Sequence, residues 1–482
     1  MNINELKNFK IIQLAYQLSQ ECGVPIYLVG GAVRDVLMGF FYGQDFDFTL
    51  GAQWDLVTRL FAEKIQGKII PWDFNQKRVI ALIGNRTITV DFSKCKGATI
   101  EHDLLSRDFT VNSMAVAVDK LFLEQNPEII DPLNGTKHVA EKIIKANSPD
   151  VFDSDPLRIL RAIRFAAAFN FSLDNKTKSL IKKKASLISL VAMERIKREL
   201  FAIFNLEKAA VAMRHLIQLR IMQLLIPELH QFSLTPQSRP HQYSLLNHSL
   251  RTVERLASML RNMKKHFPGH ETFLSNYFNA YIEKGIITRR ALLLYAALLH
   301  DSGKITAQTH DGRSIRFFGH EIEGVAINQA IGRRMLLGKK TCRILETITR
   351  HHMRILHLAM QNRITERAII RLLRDIKPAP LEVMLLALAD TAATSADEKY
   401  NDTRIRVKQF VQQLFETYIA SGCAAPATEL VNGNDIMQCM GIPEGPEVGI
   451  ILREIAECER KGLLNTRQEA LQWLKKRSES NL

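Results

Sequence analysis

The run Asp45-Phe46-Asp47-Phe48 constrains this chain more than any other stretch of its sequence. Acid and aromatic residues alternate there. On a β-strand successive side chains point to opposite faces, so a strand alone buries both phenylalanines and keeps both carboxylates together on the other face. The spacing therefore predicts a strand over 44–50. Upstream, Tyr27-Leu28-Val29 suits a short buried strand, and Gly30-Gly31 suits a tight turn where backbone closely approaches a ligand. Ala32 to Met38 reads as a short helix whose first amides favour an anion. Two carboxylates on one strand face repel unless a cation lies between them. Hard oxygen ligands suit Mg²⁺, which keeps water and substrate phosphate oxygens as its other ligands. A Gly-Gly turn beside such a strand is a nucleoside triphosphate site in outline, and metal held there activates a hydroxyl and neutralises departing pyrophosphate. The plainer alternative is a solvated hairpin edge with an ordinary glycine turn.

The stretch Tyr27–Leu50 resembles the head of the class II tRNA nucleotidyltransferases, the CCA-adding enzymes, and of the related bacterial poly(A) polymerases. Gly30, Gly31, Val33, Arg34, Asp35, Gly39, Asp45 and Asp47 carry the match. The resemblance implies that Asp45 and Asp47 bind catalytic Mg²⁺ and that the glycines and Arg34 contact the triphosphate. It extends along most of the chain. Leu104–Ala115 resembles the family's second motif through Arg107, Asp108 and Asn112, with Ser106 where an arginine is usual. There a guanidinium grips phosphate with a fork of donors, and Asn112 bonds a ribose hydroxyl. Asp91 ends the alternation Thr87-Ile88-Thr89-Val90 and is expected to stand near the first two acids, as a third carboxylate that helps deprotonate the primer hydroxyl. A strand-end aspartate is also an ordinary turn residue. The segment from Asp91 to Asp108 is short for a full CCA-adding enzyme, in which a flexible loop switches specificity from C to A. That shortening points to an enzyme that adds only part of the tail. Asp131-Pro-Leu-Asn-Gly135 resembles the third motif, and its own turn chemistry explains it fully.

Asp155-Pro156 starts a helix along which Arg158, Arg161 and Arg164 recur every third residue. This segment resembles the family's nucleotide-reading motif, with Ser154 in place of a glutamate. The resemblance makes Asp155 and Arg158 the base readers and Arg161 their support. Cytosine and adenine both present an amino donor beside a ring-nitrogen acceptor. A carboxylate accepts from the one and a guanidinium donates to the other, while guanine and uracil leave both groups mispaired. The alternative is an N-cap aspartate with solvated arginines. Met193–Leu200, similar to the family's Glu-Arg motif, is expected to order that helix. Farther on, His248, His300-Asp301 at the end of an apolar helix, and Asp390 resemble an HD metal-dependent phosphohydrolase domain, with His320 and His352 able to complete a two-metal site. Imidazole with carboxylate suits a divalent metal whose bound water attacks a phosphoester. Asn432–Ile436 and Gly441–Gly449 resemble the tail of these enzymes.

The bulk properties agree. A net charge of +15 and a pI of 9.5 favour a polyanionic partner, nucleic acid before membrane. The 6 cysteines are scattered, which excludes a zinc ribbon or a disulfide framework. The longest apolar run, around Ala291–Leu299, falls short of a bilayer span, and no signal core opens the chain, so a cytoplasmic protein is expected. The expected fold is α+β: a small mixed-sheet nucleotidyltransferase head over 1–146, then an all-helical neck over 147–230, an HD domain over 240–420 and a helical tail over 421–482. The expected activity is template-independent transfer of CMP and AMP from CTP and ATP to the 3′ end of tRNA. The alternatives are poly(A) synthesis, addition of only CC or only A, or an HD phosphohydrolase with an RNA-binding head.

Overall fold

The structure is a computed structural model and describes residues 3–41, 43–51, 53–83, 86–238, 242–310, 315–395, 397–421, 431, 433–443, 445–460, 464 and 467–480. Its N-terminal part is built on six strands: β1 (Ile26–Val29), β2 (Asp45–Leu50), β3 (Lys68–Asp73), β4 (Gln76–Ile83), β5 (Arg86–Lys94) and β6 (Ala115–Ala117). They lie in the order β3-β4-β5-β2-β1-β6. Only β2 and β5 run parallel, with Asp45 opposite Thr89 and Asp47 opposite Asp91. The sheet is thus mixed, as the alternating strand and helix patterns predict.

One face of the sheet is apolar. Phe46, Phe48 and Phe92 are fully buried, and the Phe48 and Phe92 rings lie 5.5 Å apart. Two helices cover this face, α1 (Lys10–Cys22) and α2 (Trp54–Lys64), with Phe61 meeting Phe92 at 5.0 Å. The apolar spacing over residues 4–22 predicts one helix, but the chain forms a 3₁₀ turn over Ile3–Asn8 and restarts after an extended Phe9. The reason is packing. The Phe9 ring leaves the helical path to reach Phe41 at 5.2 Å and Phe46 at 6.0 Å.

Beyond β6 the described residues form helices and connecting loops, with three short strand pairs among them. One of these ties Ile143–Ile144 to Ser172–Leu173, so the region expected to be wholly helical begins with a β contact. The helices that carry site residues are α3 (Arg158–Phe169), α4 (Met193–Phe204), α5 (Leu245–Arg261), α6 (Arg289–Leu299), α7 (His320–Arg334), α8 (Lys339–Ala359), α9 (Glu366–Asp375) and α10 (Pro380–Thr394). Two prolines with several Ser and Gln predict a linker over 231–242, but that stretch starts inside a helix, Glu228–Leu234, because Phe232 is buried; residues 239–241 lie outside the described ones. Every residue from Ala291 to Leu299 is fully buried, so the most apolar run is the centre of a helical layer. No helix among the described residues is long and apolar enough to cross a membrane. The buried core runs unbroken from Leu6 to Tyr418, whereas Val431 to Leu474 form a separate small core. In the tail motifs, Asn432 and Glu444 lie outside the described residues, and a helix starts at Pro446 where the Gly-Pro turn predicts one.

Candidate active site

A cleft of about 780 Å³ opens between the polar face of the sheet and the N-terminal end of α3. Gly30, Gly31, Arg34, Asp45, Asp47, Arg107, Asp108, Asn112, Asp155, Arg158 and Arg161 all line it, so one cleft gathers residues expected to act together. Gly30 has a φ of +67°, and a Cβ there would lie 3.0 Å from Arg107 Nη1 and 3.8 Å from Asp47 Oδ2. Glycine therefore lets the turn lie directly against the acid and the guanidinium. Asp45 is exposed at the mouth of the cleft, and Asp47 sits deeper. Burial, then the neighbouring carboxylate of Asp91, pushes the Asp47 carboxyl up to about 6, with Arg107 opposing and Asp45 adding to the rise. An anion destabilised by burial and by two like charges suits a divalent cation with oxygen ligands, so the donor set fits Mg²⁺.

Asp91 is placed differently from Asp45 and Asp47. It faces Asp47 across β2 and β5, but Arg78 grips both of its oxygens at 2.7 Å, and it does not line the cleft. The other charged groups are cross-linked. Arg34 donates from Nη1 to Asn112 Oδ1 at 2.5 Å and from Nε to Asp35 at 2.8 Å, while its guanidinium lies 4.1 Å from the Phe169 ring. Arg107 donates to Asp103 at 2.9 Å and to Thr49 at 3.1 Å. Asp108 accepts from Arg161 Nε and Nη2 at 2.9 and 2.7 Å, from Asn112 at 3.1 Å and from the Phe109 amide at 2.8 Å. Burial opposes the Asp108 anion, but Arg161 and these donors outweigh it and hold the carboxyl below its usual range. Arg161 therefore clamps α3 to the loop before β6.

The expected readers are engaged as well. Asp155 takes a 2.8 Å bond from Arg195, on α4, and its other oxygen accepts from the Leu157 amide at 3.2 Å. Arg158 donates to the Ser106 carbonyl and to Ser154 Oγ, both at 3.2 Å. Arg164 is held by Glu199 at 2.7 Å. Thr49, Arg78 and Asp103 were not singled out from the sequence. Only the pairing of strands and loops brings them to the site, and no local pattern marks them.

A second cluster lies in the helical part. His248 comes from α5, His300 and Asp301 from the end of α6, His320 from the start of α7, His352 from α8 and Asp390 from α10. His300, His320 and His352 each bond the carbonyl three residues earlier through Nδ1, at 2.8, 2.8 and 2.7 Å. That bond fixes each ring and turns Nε2 inward. Asp301 Oδ2 lies 3.3 Å from His300 Nε2 and 3.6 Å from His248 Nε2. Its Oδ1 lies 3.3 Å from His320 Nε2 and 3.4 Å from His352 Nε2. Asp390 approaches His248 at 2.8 Å. Two triads result, His248/His300/Asp390 and Asp301/His320/His352, each with its donor atoms within 4.8 Å of one another. Burial disfavours a charged His300, but Asp301 and Asp390 overcome it and raise the ring to about 10. A proton there does the work that a divalent cation would take over. Lys304 also reaches Asp301, at 2.7 Å.

Comparison with known proteins decides the family. A "Multifunctional CCA protein" of Neisseria gonorrhoeae is 30% identical over 68% of this chain and 73% of its own length. The chain belongs to the tRNA nucleotidyltransferase and poly(A) polymerase family. The poly A polymerase head domain profile matches residues 26–145, that of a probable RNA and SrmB-binding site of polymerase A matches 170–233, and that of the HD domain matches 245–394. Two further relatives in the family span nearly the whole chain. A CC-adding tRNA nucleotidyltransferase of Geobacter sulfurreducens is 27% identical over 96% of this chain and 94% of its own. An A-adding enzyme of Deinococcus radiodurans is 27% identical over 92% and 93%. A solved CCA-adding enzyme in its apo form shares the fold, with a TM-score of 0.58 at 18% identity over 96% of this chain and 92% of that one.

Proposed function

We propose that this nucleotidyltransferase adds CMP and AMP, from CTP and ATP, to the 3′ end of tRNA without a nucleic-acid template, releasing pyrophosphate, in the cytoplasm. One observation carries the reading: paired acids, a glycine turn, phosphate-gripping arginines and the Asp155/Arg158 pair all line a single cleft. The working units follow as a head over 1–146, a neck over 147–230, an HD domain over 240–420 and a tail over 421–482. Asp45 and Asp47 hold Mg²⁺, which when bound activates the primer hydroxyl and offsets charge on the leaving pyrophosphate. Arg34, Arg107 and the Gly31 amide cradle the triphosphate, while Gly30, whose own amide bonds the Met114 carbonyl at 3.0 Å, lets the turn lie close to it. Asn112, oriented by Asp108 and Arg34, bonds the ribose. Asp155 accepts from the exocyclic amine of cytosine or adenine, and Arg158 donates to the adjacent ring nitrogen. To do so Asp155 releases Arg195 and Arg158 leaves its carbonyl partners. Asp91 is proposed as the third carboxylate, acting on Asp47 through its charge while Arg78 holds it.

Incubating the protein with tRNA lacking its tail and each nucleotide alone tests the reading. Incorporation of C and A in order supports full CCA addition. Incorporation of C alone or A alone narrows it to part of the tail, an outcome favoured by the tight connection from β5 at Lys94 to the next helix at Ile100. Long adenylate tracts indicate poly(A) synthesis, and no incorporation rejects the reading. The convergence of Nε2 atoms on Asp301 favours a second centre, a divalent-metal phosphohydrolase site of His248, His300, Asp301 and Asp390 with His320 and His352. Phosphate release from phosphoesters that Asp301→Asn abolishes and Asp47→Ala does not would establish it.

A further inference from the structure

The basic charge of this chain is not spread evenly. At the head and neck most cations near the cleft sit on acids: Arg78 on Asp91, Arg161 on Asp108, Arg164 on Glu199, Arg195 on Asp155 and Lys184 on Asp153. One face of the helical part is different. Two open clefts of about 680 and 600 Å³ adjoin there and share Arg374. Lys340 and Arg343 on α8, Arg367 and Arg371 on α9, and Lys377 just after α9 line them, and all five are exposed. None of the five has a side-chain hydrogen bond or ion pair among the described residues. Asp375 is the single acid in either lining, and it is already taken by Arg354 at 2.9 Å and Arg374 at 3.4 Å.

Unpaired like charges on one face repel one another and disfavour the compact state. A polyanion relieves that repulsion and gains free energy from released counterions. The layout also limits the kind of polyanion. Arg367, Arg371 and Arg374 follow i, i+4, i+7 on α9, which sets them in a row along one helix flank with steps of about 6 and 4.5 Å. That row suits successive phosphates of one strand. Neither lining contains Phe, Tyr or Trp, and His357 is the single aromatic ring in them. Unpaired bases are held by stacking on aromatic rings, so this face fits the sugar–phosphate backbone of a duplex rather than single-stranded RNA. It also lies outside residues 170–233, the segment matched to the RNA-binding profile.

We propose that this face of α8 and α9 docks the phosphate backbone of a double-helical arm of the RNA whose 3′ end enters the head–neck cleft. The RNA's identity as substrate rests on the transferase reading; the docking surface itself does not. The test uses the full chain, a variant carrying Lys340→Gln, Arg367→Gln and Arg371→Gln, and a second variant carrying Arg343→Gln and Lys377→Gln. Binding of a tRNA transcript without its tail is measured across salt concentrations. The first variant should lower the slope of log K against log salt by about 3 and the second by about 2, near one per lost phosphate contact. The KM for tRNA should rise roughly tenfold with turnover at saturating RNA retained. Unchanged slopes and KM in both variants overturn the proposal. An equal loss for a single-stranded oligonucleotide overturns the duplex assignment. Lost binding of polyglutamate with RNA binding intact assigns the face to an acidic protein instead and also overturns it. If the native protein binds the transcript and the variants lower the slope while no nucleotide is ever incorporated, the transferase reading fails and the docking surface stands.

Discussion

The head–neck cleft and the histidine cluster both concentrate charge, but they are built on opposite plans. The cleft is roomy, at about 780 Å³, and its side chains hold one another through bonds a ligand can replace: Asp155 with Arg195, Arg158 with backbone carbonyls. The cluster is closed. All six of its side chains come from helices or helix ends, and four histidines converge on Asp301 with Asp390 behind His248 and His300, most of them fully buried. Three of its rings are fixed by backbone bonds through Nδ1. A site that must admit and turn over a nucleotide keeps exchangeable partners. The cluster's donor atoms are already pointed, as a site suited to small cations requires.

The widest separation between the two should come from removing one acid of each. Asp47→Ala is expected to cut nucleotide incorporation roughly 10³-fold or more if, as proposed, Asp47 is a Mg²⁺ ligand where charge develops. Asp301→Asn should leave incorporation per folded molecule near the native rate. Equal losses in a single-turnover assay would show that the two sites are not independent. The Arg161 clamp comes next. Arg161→Met leaves the Asp108 carboxylate buried without its cation, and unfolding free energy should fall by about 3 kcal/mol. Adding Asp108→Leu should restore part of it, which a double-mutant comparison by denaturant melting measures.

Acid should act on the two sites in opposite senses. The Asp47 carboxyl stands at about 6 against an ordinary 3.8. Without a divalent ion, its raised value makes the folded state bind a proton more readily than the unfolded chain. That stabilisation is complete below pH 3.8 and is lost as pH rises through about 6. Its size is roughly 2–3 kcal/mol, read as the difference in melting between the native protein and Asp47→Asn across pH. Mg²⁺ competes with the proton and should flatten the difference. Asp301 and Asp390 are held well below the ordinary range despite burial, because Lys304 and the histidines outweigh it. Their contribution is present above pH 3.8 and falls away in acid. His300, raised to about 10 from 6.5, contributes fully below 6.5 and loses its share as pH climbs through 10. A cleft that gains stability between about pH 6 and pH 3.8, while the cluster holds its own there and loses it only below pH 3.8, would sharpen the contrast. Parallel shifts would erase it.

How much of each region could be read from the sequence follows the range of the interactions. The Asp45–Phe48 alternation and the Gly30-Gly31 turn are local, and the strand and helix they predict form where expected. The approach of Asp91 to Asp47 follows from strand alternation, but its capture by Arg78 depends on the antiparallel register of β4 against β5, which no local pattern encodes. Arg161 looked like a helper on the reading helix. Its partner Asp108 is 53 positions away, so the clamp is visible only once α3 packs against the head. His300-Asp301 announces itself by adjacency, whereas the meeting of His320 with His352 needs two helices packed side by side.

The smallest effect discriminates most finely. Arg195 and Asp155 form a largely exposed pair, at 53% and 27% side-chain exposure. Such pairs contribute under about 1 kcal/mol, so Arg195→Gln should barely change the melting temperature. If Asp155 reads the base, however, the native protein must break this bond each time a nucleotide enters. Removing Arg195 removes that competition, and the KM for CTP should fall by roughly threefold, as expected for an exposed charge-assisted bond. Asp155→Asn should act the other way, raising the KM for CTP and relaxing discrimination against UTP, because an amide can donate where the carboxylate only accepts. A nucleotide KM and selectivity indifferent to both changes would confine Asp155 to ordering the start of α3, and would leave base selection to groups deeper in the cleft.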